Sequence, residues 1–186
     1  MSKVYILIGS VGAGKSTMAE KLHNEQNVQI ISADEIYKTL PVKRISTKPY
    51  DNNIRNEILN KICEELSSCL KNDVDCVIDY TNMPTKRRRR FLTIAKRHNA
   101  CIICKFLLVD KDILLKQLIK RETTNLASHV ILQKEQTVNL YLKRVAKSSP
   151  VLHEGYSMIE TYQNGKLVDT KYHKNKKRFL KGKNQK

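Results

Sequence analysis

The chain has 186 residues, 35 Lys and Arg against 18 Asp and Glu, and a formal net charge of +17. That length suits one domain with a proper core, and with no apolar run near the roughly 20 residues of a membrane helix and no cleavable leader, an intracellular protein away from membranes is expected. The charge favours a polyanionic partner, most simply nucleic acid, over the alternatives of solubility or another anionic surface.

Lys3 to Ile8 (K-V-Y-I-L-I) is a short apolar run suited to a buried parallel strand, and Thr17 to Leu22 continues as a helix. Between them Gly9-Ser10-Val11-Gly12-Ala13-Gly14-Lys15-Ser16 fits the phosphate-loop pattern G-x-x-x-x-G-K-[ST] at every fixed position. A strand passing through a glycine turn into a helix aims backbone N–H groups and a positive helix end at one point, which suits a polyphosphate. Gly9 to Thr17 are therefore the candidate nucleotide-binding residues. Lys15 would bridge the β- and γ-phosphates of ATP, and the Ser16 hydroxyl would ligate Mg²⁺.

Val28 to Ile31 reads as a second strand, ending in Ser32-Ala33-Asp34-Glu35. Ligands of doubly wound sheets sit outside the carboxyl ends of the strands, which places Asp34 on the rim of the phosphate loop. A carboxylate there can take a proton from an attacking hydroxyl; its alternative role is to cap the helix Glu35 to Leu40. Pro41 to Pro49 reads as a polar loop near the substrate mouth. Asn52 to Leu70 has apolar residues at 54, 58, 59, 62, 66, 69 and 70, the spacing of an amphipathic helix. Asp75 to Tyr80 is a third strand ending in Asp79-Tyr80-Thr81-Asn82. Asp79 can hold a Mg²⁺-bound water, and Thr81 and Asn82 place short hydrogen-bonding side chains on the same rim. Pro84 suits the first turn of a helix running to His98. Near its start lies the block Lys86-Arg87-Arg88-Arg89-Arg90, where cations oppose the helix dipole, so a purely structural reason for them is less attractive.

Cys101 to Val109 is a fourth strand and Ile113 to Lys120 the next helix, followed by Arg121. A basic residue there can fold over the phosphates and neutralise charge on the transferred group, or merely serve the helix dipole. Thr123 to His129 reads as a loop, Val130 to Ala146 as a helix, and Ser157 to Tyr162 as a fifth strand stopped by Asn164-Gly165. From Thr170 the composition turns Lys- and Asn-rich, which predicts a domain over 1–169 and a disordered basic tail over 170–186. The five cysteines are an odd count, as expected of reduced thiols. Cys101 and Cys104, three apart in a strand, should face opposite sides of the sheet and form no zinc pair. The alternation of strands and helices gives a three-layer α/β/α sandwich with a mainly parallel sheet, and the phosphate loop after its first strand makes it of P-loop NTPase type.

The phosphate loop, Asp34, Asp79-x-Thr81-Asn82 with Arg87-Arg88 following, and Lys120-Arg121 together resemble the polynucleotide 5′-hydroxyl kinases of phage type and the P-loop kinases that contain them. Pro150-Val-Leu-His-Glu-Gly-Tyr-Ser-Met-Ile-Glu is similar to that family's closing P-x-x-x-E-G-[FY]-x-x-[IV] element. The resemblance covers nearly all of residues 3 to 164. It implies Lys15 and Ser16 for phosphate and Mg²⁺, Asp34 as general base, and Arg121 as the lid arginine. It also implies Thr81 and Asn82 on the acceptor side, with Arg87 and Arg88 near substrate phosphate or base. Two positions depart from the family's phage members: Tyr37 and Gln117 stand where they often carry arginine.

The expected activity is transfer of the γ-phosphoryl group of ATP, with Mg²⁺, to a hydroxyl of nucleic acid, most simply a 5′-OH end. The phosphate loop reads only the donor. A kinase for a small molecule, a nucleotide or a hydroxylated DNA base therefore stays open, as does a nucleic-acid-binding protein of the same fold with little turnover.

Overall fold

A computed structural model describes residues 1–40, 52–124 and 134–173, without the side chains of residues 119, 121–124, 134, 135 and 137. The elements follow in the order β1 (Lys3–Gly9), α1 (Lys15–Gln26), β2 (Gln29–Ser32), α2 (Ala33–Thr39), α3 (Asn52–Lys71), β3 (Cys76–Asp79), α4 (Thr85–Arg97), β4 (Cys101–Leu108), α5 (Lys111–Thr124), α6 (Lys134–Ser148), β5 (Met158–Gln163) and β6 (Lys166–Tyr172). The strands form one sheet in the order β2-β3-β1-β4-β5-β6. The five strands read from the sequence are parallel, and β6 alone runs antiparallel, against β5.

Burial on both sides explains why the central strands read as unbroken apolar runs rather than alternating ones. Val4, Ile6, Ile8, Cys76, Ile78, Ile102 and Cys104 face a core closed by α3, α4 and α6, while Tyr5, Leu7, Val77, Cys101 and Ile103 meet α1. Cys101 and Cys104 thus fall in different clusters on opposite faces, as their spacing predicts. The amphipathic stretch from Asn52 is one helix, burying Ile58, Leu59, Ile62, Leu66 and Leu70 at helical spacing. Lys105 is a cation in an otherwise apolar strand; it pairs with Glu160 directly across the β4–β5 register.

Three boundaries differ from the sequence reading. The helix expected from Ile113 to Lys120 runs from Lys111 to Thr124, so Thr123 and Thr124 are helical rather than loop. The next helix is described from Lys134 to Ser148, and 130–133 lie outside the described residues. Thr170, Lys171 and Tyr172, assigned on composition to the tail, belong to β6. Polar composition misled there because β6 is a two-sided edge strand: its backbone is satisfied by β5 while most of its side chains stay in solvent. Residues 174–186 and the expected loop Pro41 to Pro49 lie outside the described residues. No described helix is long and apolar enough to cross a membrane.

Candidate active site

The register aligns the ends of three strands. Ile31, Ile78 and Ile6 stand side by side, so Ser32, Asp79 and Leu7 form the next row. Beyond that row β1 opens into the phosphate loop and β2 into α2. After β3 the chain enters the segment carrying Tyr80, Thr81 and Asn82. The sheet order reverses about β1, the place where such folds open a crevice for ligand.

The loop is built to receive an anion. Gly12 and Gly14 both adopt φ +82, a conformation that side chains rarely take. α1 starts at Gly14 with no side-chain cap and no acid in its first turn, which leaves its first N–H groups and positive end open. The contrast is α2, where Ser32 caps the helix by accepting from the Glu35 N–H at 3.4 Å. Lys15 is buried and donates from Nζ to the Ser10 carbonyl at 2.7 Å, so the loop holds its cation folded inward. Ser16 and Thr17 are exposed at the helix start, as is Val11 in the loop, while Gly9, Ser10 and Ala13 are buried.

Asp34 lies in the first turn of α2 and is exposed. Because Ser32 is the cap, the Asp34 carboxylate is not needed to start the helix. Asp79 closes β3, half-buried, in the strand beside β1. Arg121 belongs to the helical backbone of α5, and its side chain lies outside the description. Its helix is nonetheless anchored at the loop. A Cβ built on Gly12 would stand 3.3 Å from Leu118 Cδ2 and 3.4 Å from Leu114 Cδ1, so α5 packs directly on the loop one turn before Arg121.

The acceptor-side residues divide. Thr81 stays half-buried at the rim. Asn82 is completely buried and donates from Nδ2 to the Leu7 carbonyl at 2.9 Å, fastening the segment after β3 to the strand that feeds the phosphate loop. Its Oδ1 is buried without a hydrogen-bond partner among the described residues. Arg87 is half-buried, with its guanidinium 4.2 Å from the centroid of the Tyr80 ring and Nη1 donating to the Thr81 carbonyl at 2.7 Å. Burial, its largest influence, holds the Arg87 pKa down, and Arg55 and Arg144 push the same way against Tyr80.

Arg88 does not stand where the sequence reading put it. It has no exposed surface, and it forms a fork with Glu154 through Nε at 2.9 Å and Nη2 at 2.7 Å. Nη1 donates to the carbonyls of Asn82, Met83 and Ser148, and Nη2 also reaches Thr85 Oγ1. Every N–H is engaged, so none faces a substrate. Burial works against its charge, but the Glu154 bonds leave its pKa raised. The signal was in the sequence: Arg88 occupies the helical stripe continued by Phe91, Leu92 and Ala95, all buried. Glu154, inside the Pro150-to-Glu160 element, is the partner the sequence did not pair with it. Arg55 and Arg144 were also missed, since nothing in the spacing brings α3, α4 and α6 together.

For a magnesium ion, Ser16 at the start of α1 and Asp79 at the end of β3 would supply hard oxygen donors. No group of three or more His, Cys, Asp or Glu side chains that could hold an ion occurs among the described residues. Such a donor set fits Mg²⁺, which binds through one or two protein oxygens together with water and phosphate rather than in an all-protein cage.

A family profile described as AAA domain matches residues 4–145. No curated protein sequence matches the chain closely enough to count as a relative. Among solved structures, one from the PezAT chromosomal toxin–antitoxin system of Streptococcus pneumoniae superposes with a TM-score of 0.68 at 15% identity, covering 91% of this chain and 71% of that one. A chain of the Pnkp1/Rnl/Hen1 RNA repair complex superposes at 0.65 and 21% identity, covering 79% of this chain and 45% of that one. A gluconokinase from Sinorhizobium meliloti does so at 0.61 and 14% identity, covering 88% and 83%. At these identities the likeness is one of fold. With the phosphate loop heading the matched region, the chain belongs to the AAA domain family, and its mostly parallel six-stranded sheet with flanking helices is an α/β fold of P-loop kinase type.

Proposed function

We propose that the protein is an ATP- and Mg²⁺-dependent kinase that transfers the γ-phosphoryl group to a hydroxyl of nucleic acid, at a 5′-OH end. The observation that carries this reading is the row of strand ends. The uncapped phosphate loop follows β1, the exposed Asp34 follows β2, and Arg87 bonds to the Thr81 carbonyl just after β3, which supports a donor site, a base and a cation at the same end of the sheet. The nucleic-acid acceptor is supported by the charge of +17 and by the shared fold with a component of an RNA repair complex.

In this mechanism the α1 N–H groups and the loop backbone cradle the phosphates. Lys15 exchanges its bond to the Ser10 carbonyl for phosphate oxygens, so nucleotide binding unlocks a cation that the loop otherwise shields. Asp34 orients the acceptor hydroxyl and takes its proton as the oxygen attacks in line. Arg121, carried by the helix packed on Gly12, neutralises charge on the transferred group. Ser16 and Asp79 would hold Mg²⁺, which would add to the charge neutralisation when bound. Asn82 and Arg88 act as architectural anchors in this reading, while Thr81 and Arg87 line the acceptor side. Residues 1–173 form the kinase domain, and the basic residues 174–186 act as an electrostatic arm.

A second reading, a small-molecule kinase, is favoured by the shared fold with a gluconokinase. Transfer of labelled γ-phosphate with Mg²⁺ to 5′-OH RNA, 5′-OH DNA, duplex DNA without 5′-OH ends, and a mixture of nucleosides and sugars separates the two. Lys15→Ala serves as the blank. Label on the 5′-OH oligomers, lost in the variant, is the expected result; label on small molecules alone would replace the proposal by the second reading.

A further inference from the structure

The mechanism above gives Arg87 and Arg88 their places and leaves the other cations of α4 without a task. These are Lys86, Arg89, Arg90, Lys96 and Arg97, on a helix that carries no acid. Arg88, Phe91, Leu92 and Ala95 bury one side of it, and the five cations are exposed on the other. At about 3.6 residues per turn, Lys86, Arg90 and Arg97 form a crest opposite the buried side, with Arg89 on one shoulder. Arg90 is steadied from α3, where Asn60 Oδ1 accepts from its Nη2 at 2.7 Å. Lys96 leans the other way and donates to the Glu154 carbonyl at 3.0 Å.

None of the five forms an ion pair among the described residues, although the neighbouring α3 carries Glu57, Glu64 and Glu65. Like charges three and four residues apart repel along a helix, and Lys86 sits in the first turn, against the dipole. Lys86, Arg89 and Arg97 thus load the helix with charge that the fold does not use.

The stripe itself selects among anionic partners. From Lys86 to Arg97 it covers about 16 Å of helix, the length of roughly five nucleotides along a strand. No residue of α4 is among the exposed large apolar side chains. The face therefore has neither the apolar wedge of a membrane-surface helix nor the apolar centre of a protein interface. Guanidinium forks match the paired oxygens of a phosphodiester. The course of the stripe is set by the sheet. α4 begins just after the rim segment and ends before Cys101, which is level with Lys3 at the start of β1. The stripe descends the flank of the domain, away from the phosphate loop.

We propose that the outer face of α4 is a nucleic-acid site in its own right, a track of Lys86, Arg89, Arg90 and Arg97 for the sugar-phosphate backbone, separate from the rim. It rests on the nucleic-acid side of the reading above and extends it. The track holds a strand whatever group its terminus carries, and it favours a polymer over a nucleoside or sugar.

A closed circle of single-stranded DNA has no end to offer the rim and so isolates the track. Its binding to the full chain without ATP is followed by fluorescence anisotropy from about 50 to 200 mM salt. Lys86→Gln, Arg89→Gln, Arg90→Gln and Arg97→Gln in one chain should flatten the salt slope by about 2.8, at about 0.7 per phosphate contact, and weaken binding about tenfold or more. Lys111→Gln, Lys116→Gln, Lys166→Gln and Lys171→Gln remove the same charge from other exposed positions and should cost about threefold at most. Lys86→Gln with Arg97→Gln, which breaks no bond, should flatten the slope by about 1.4 with the unfolding midpoint unchanged or raised. Equal losses in the two fourfold variants would make the effect one of net charge and overturn the track. So would an unchanged slope, or binding of phosphatidylserine vesicles in preference to the circle. Binding of the circle through α4 without phosphoryl transfer to any linear 5′-OH strand would sink the kinase reading and leave the track standing; transfer to linear strands with circle binding indifferent to α4 would do the reverse.

Discussion

Removing the Arg88 guanidinium tests the anchor on which the rim depends. In Arg88→Ala the Glu154 carboxylate, 8% exposed, loses both arms of its fork, and the carbonyls of Asn82, Met83 and Ser148 lose their donor. Breaking a buried ion pair by deleting one partner costs about 3–5 kcal/mol, because the remaining charge stays desolvated. Orphaned carbonyls raise the loss toward the upper end of that range. For a domain of this size each kcal/mol moves the midpoint by about 2–4 °C, so the fall should be roughly 6–20 °C. Urea and thermal unfolding of the variant measure it directly. Arg88→Met with Glu154→Leu removes both charges while keeping bulk, and should recover a good part of the loss. A single-variant loss under about 1 kcal/mol would mean that the pair is screened like a surface bridge, contrary to its burial. If the double variant folds well yet fails to transfer phosphate, Arg88 touches substrate after all, and its assignment as an anchor is wrong.

Asp34→Asn should lower turnover by about 10²–10⁴ with the midpoint nearly unchanged, since Ser32 rather than Asp34 caps α2; turnover within a few-fold of the parent removes the base assignment. Lys15→Ala should cut turnover by at least about 10²-fold, read in the labelled-phosphate assay; retained transfer would remove Lys15 from the chemistry. Gly155→Ala should destabilise by about 1–3 kcal/mol through its φ of +118. Its new Cβ would also run into the Lys96 side chain at Cε, so Lys96→Ala in the same chain should relieve the contact and leave the strain, as unfolding midpoints of the pair will show. A hydrogen bond with Cys76 lowers the Cys69 pKa, while burial raises that of Cys63. Alkylation near neutral pH should therefore mark Cys69 before Cys63, and peptide mapping that finds the reverse order contradicts the bond.

The sequence carried the sheet well because parallel strands buried on two faces advertise themselves as apolar runs. The phosphate loop was legible for a different reason: backbone curvature around an anion restricts both residue type and spacing, so Gly12, Gly14 and Lys15 stand at fixed intervals. Asp34 in the first turn of α2 and Asp79 at the end of β3 stand where the strand ends put them, with their chemical roles part of the proposal. Arg88 sits in the helical stripe of Phe91 and Leu92, a phase that points it into the core whatever its charge. Long-range partners had no local signature. Glu154 is 66 residues from Arg88, and Arg55 and Arg144, whose charges act on Arg87, come from separate helices far along the chain. β6 was hidden for a related reason, since an edge strand exposed on both faces need not show an apolar period.

The antiparallel course of β6 also decides where the chain leaves the domain. Tyr172 lies opposite Met158, at the start of β5, and the His173 N–H donates to the Ser157 carbonyl at 3.1 Å. The exit is thus at the end of the strands away from the phosphate loop, level with Tyr5 and about 13 Å along the strand direction from Gly9. The last described residues stand at the far end of the strands from the loop, so a change at Tyr172 or His173 would have to act on the rim along the length of β5.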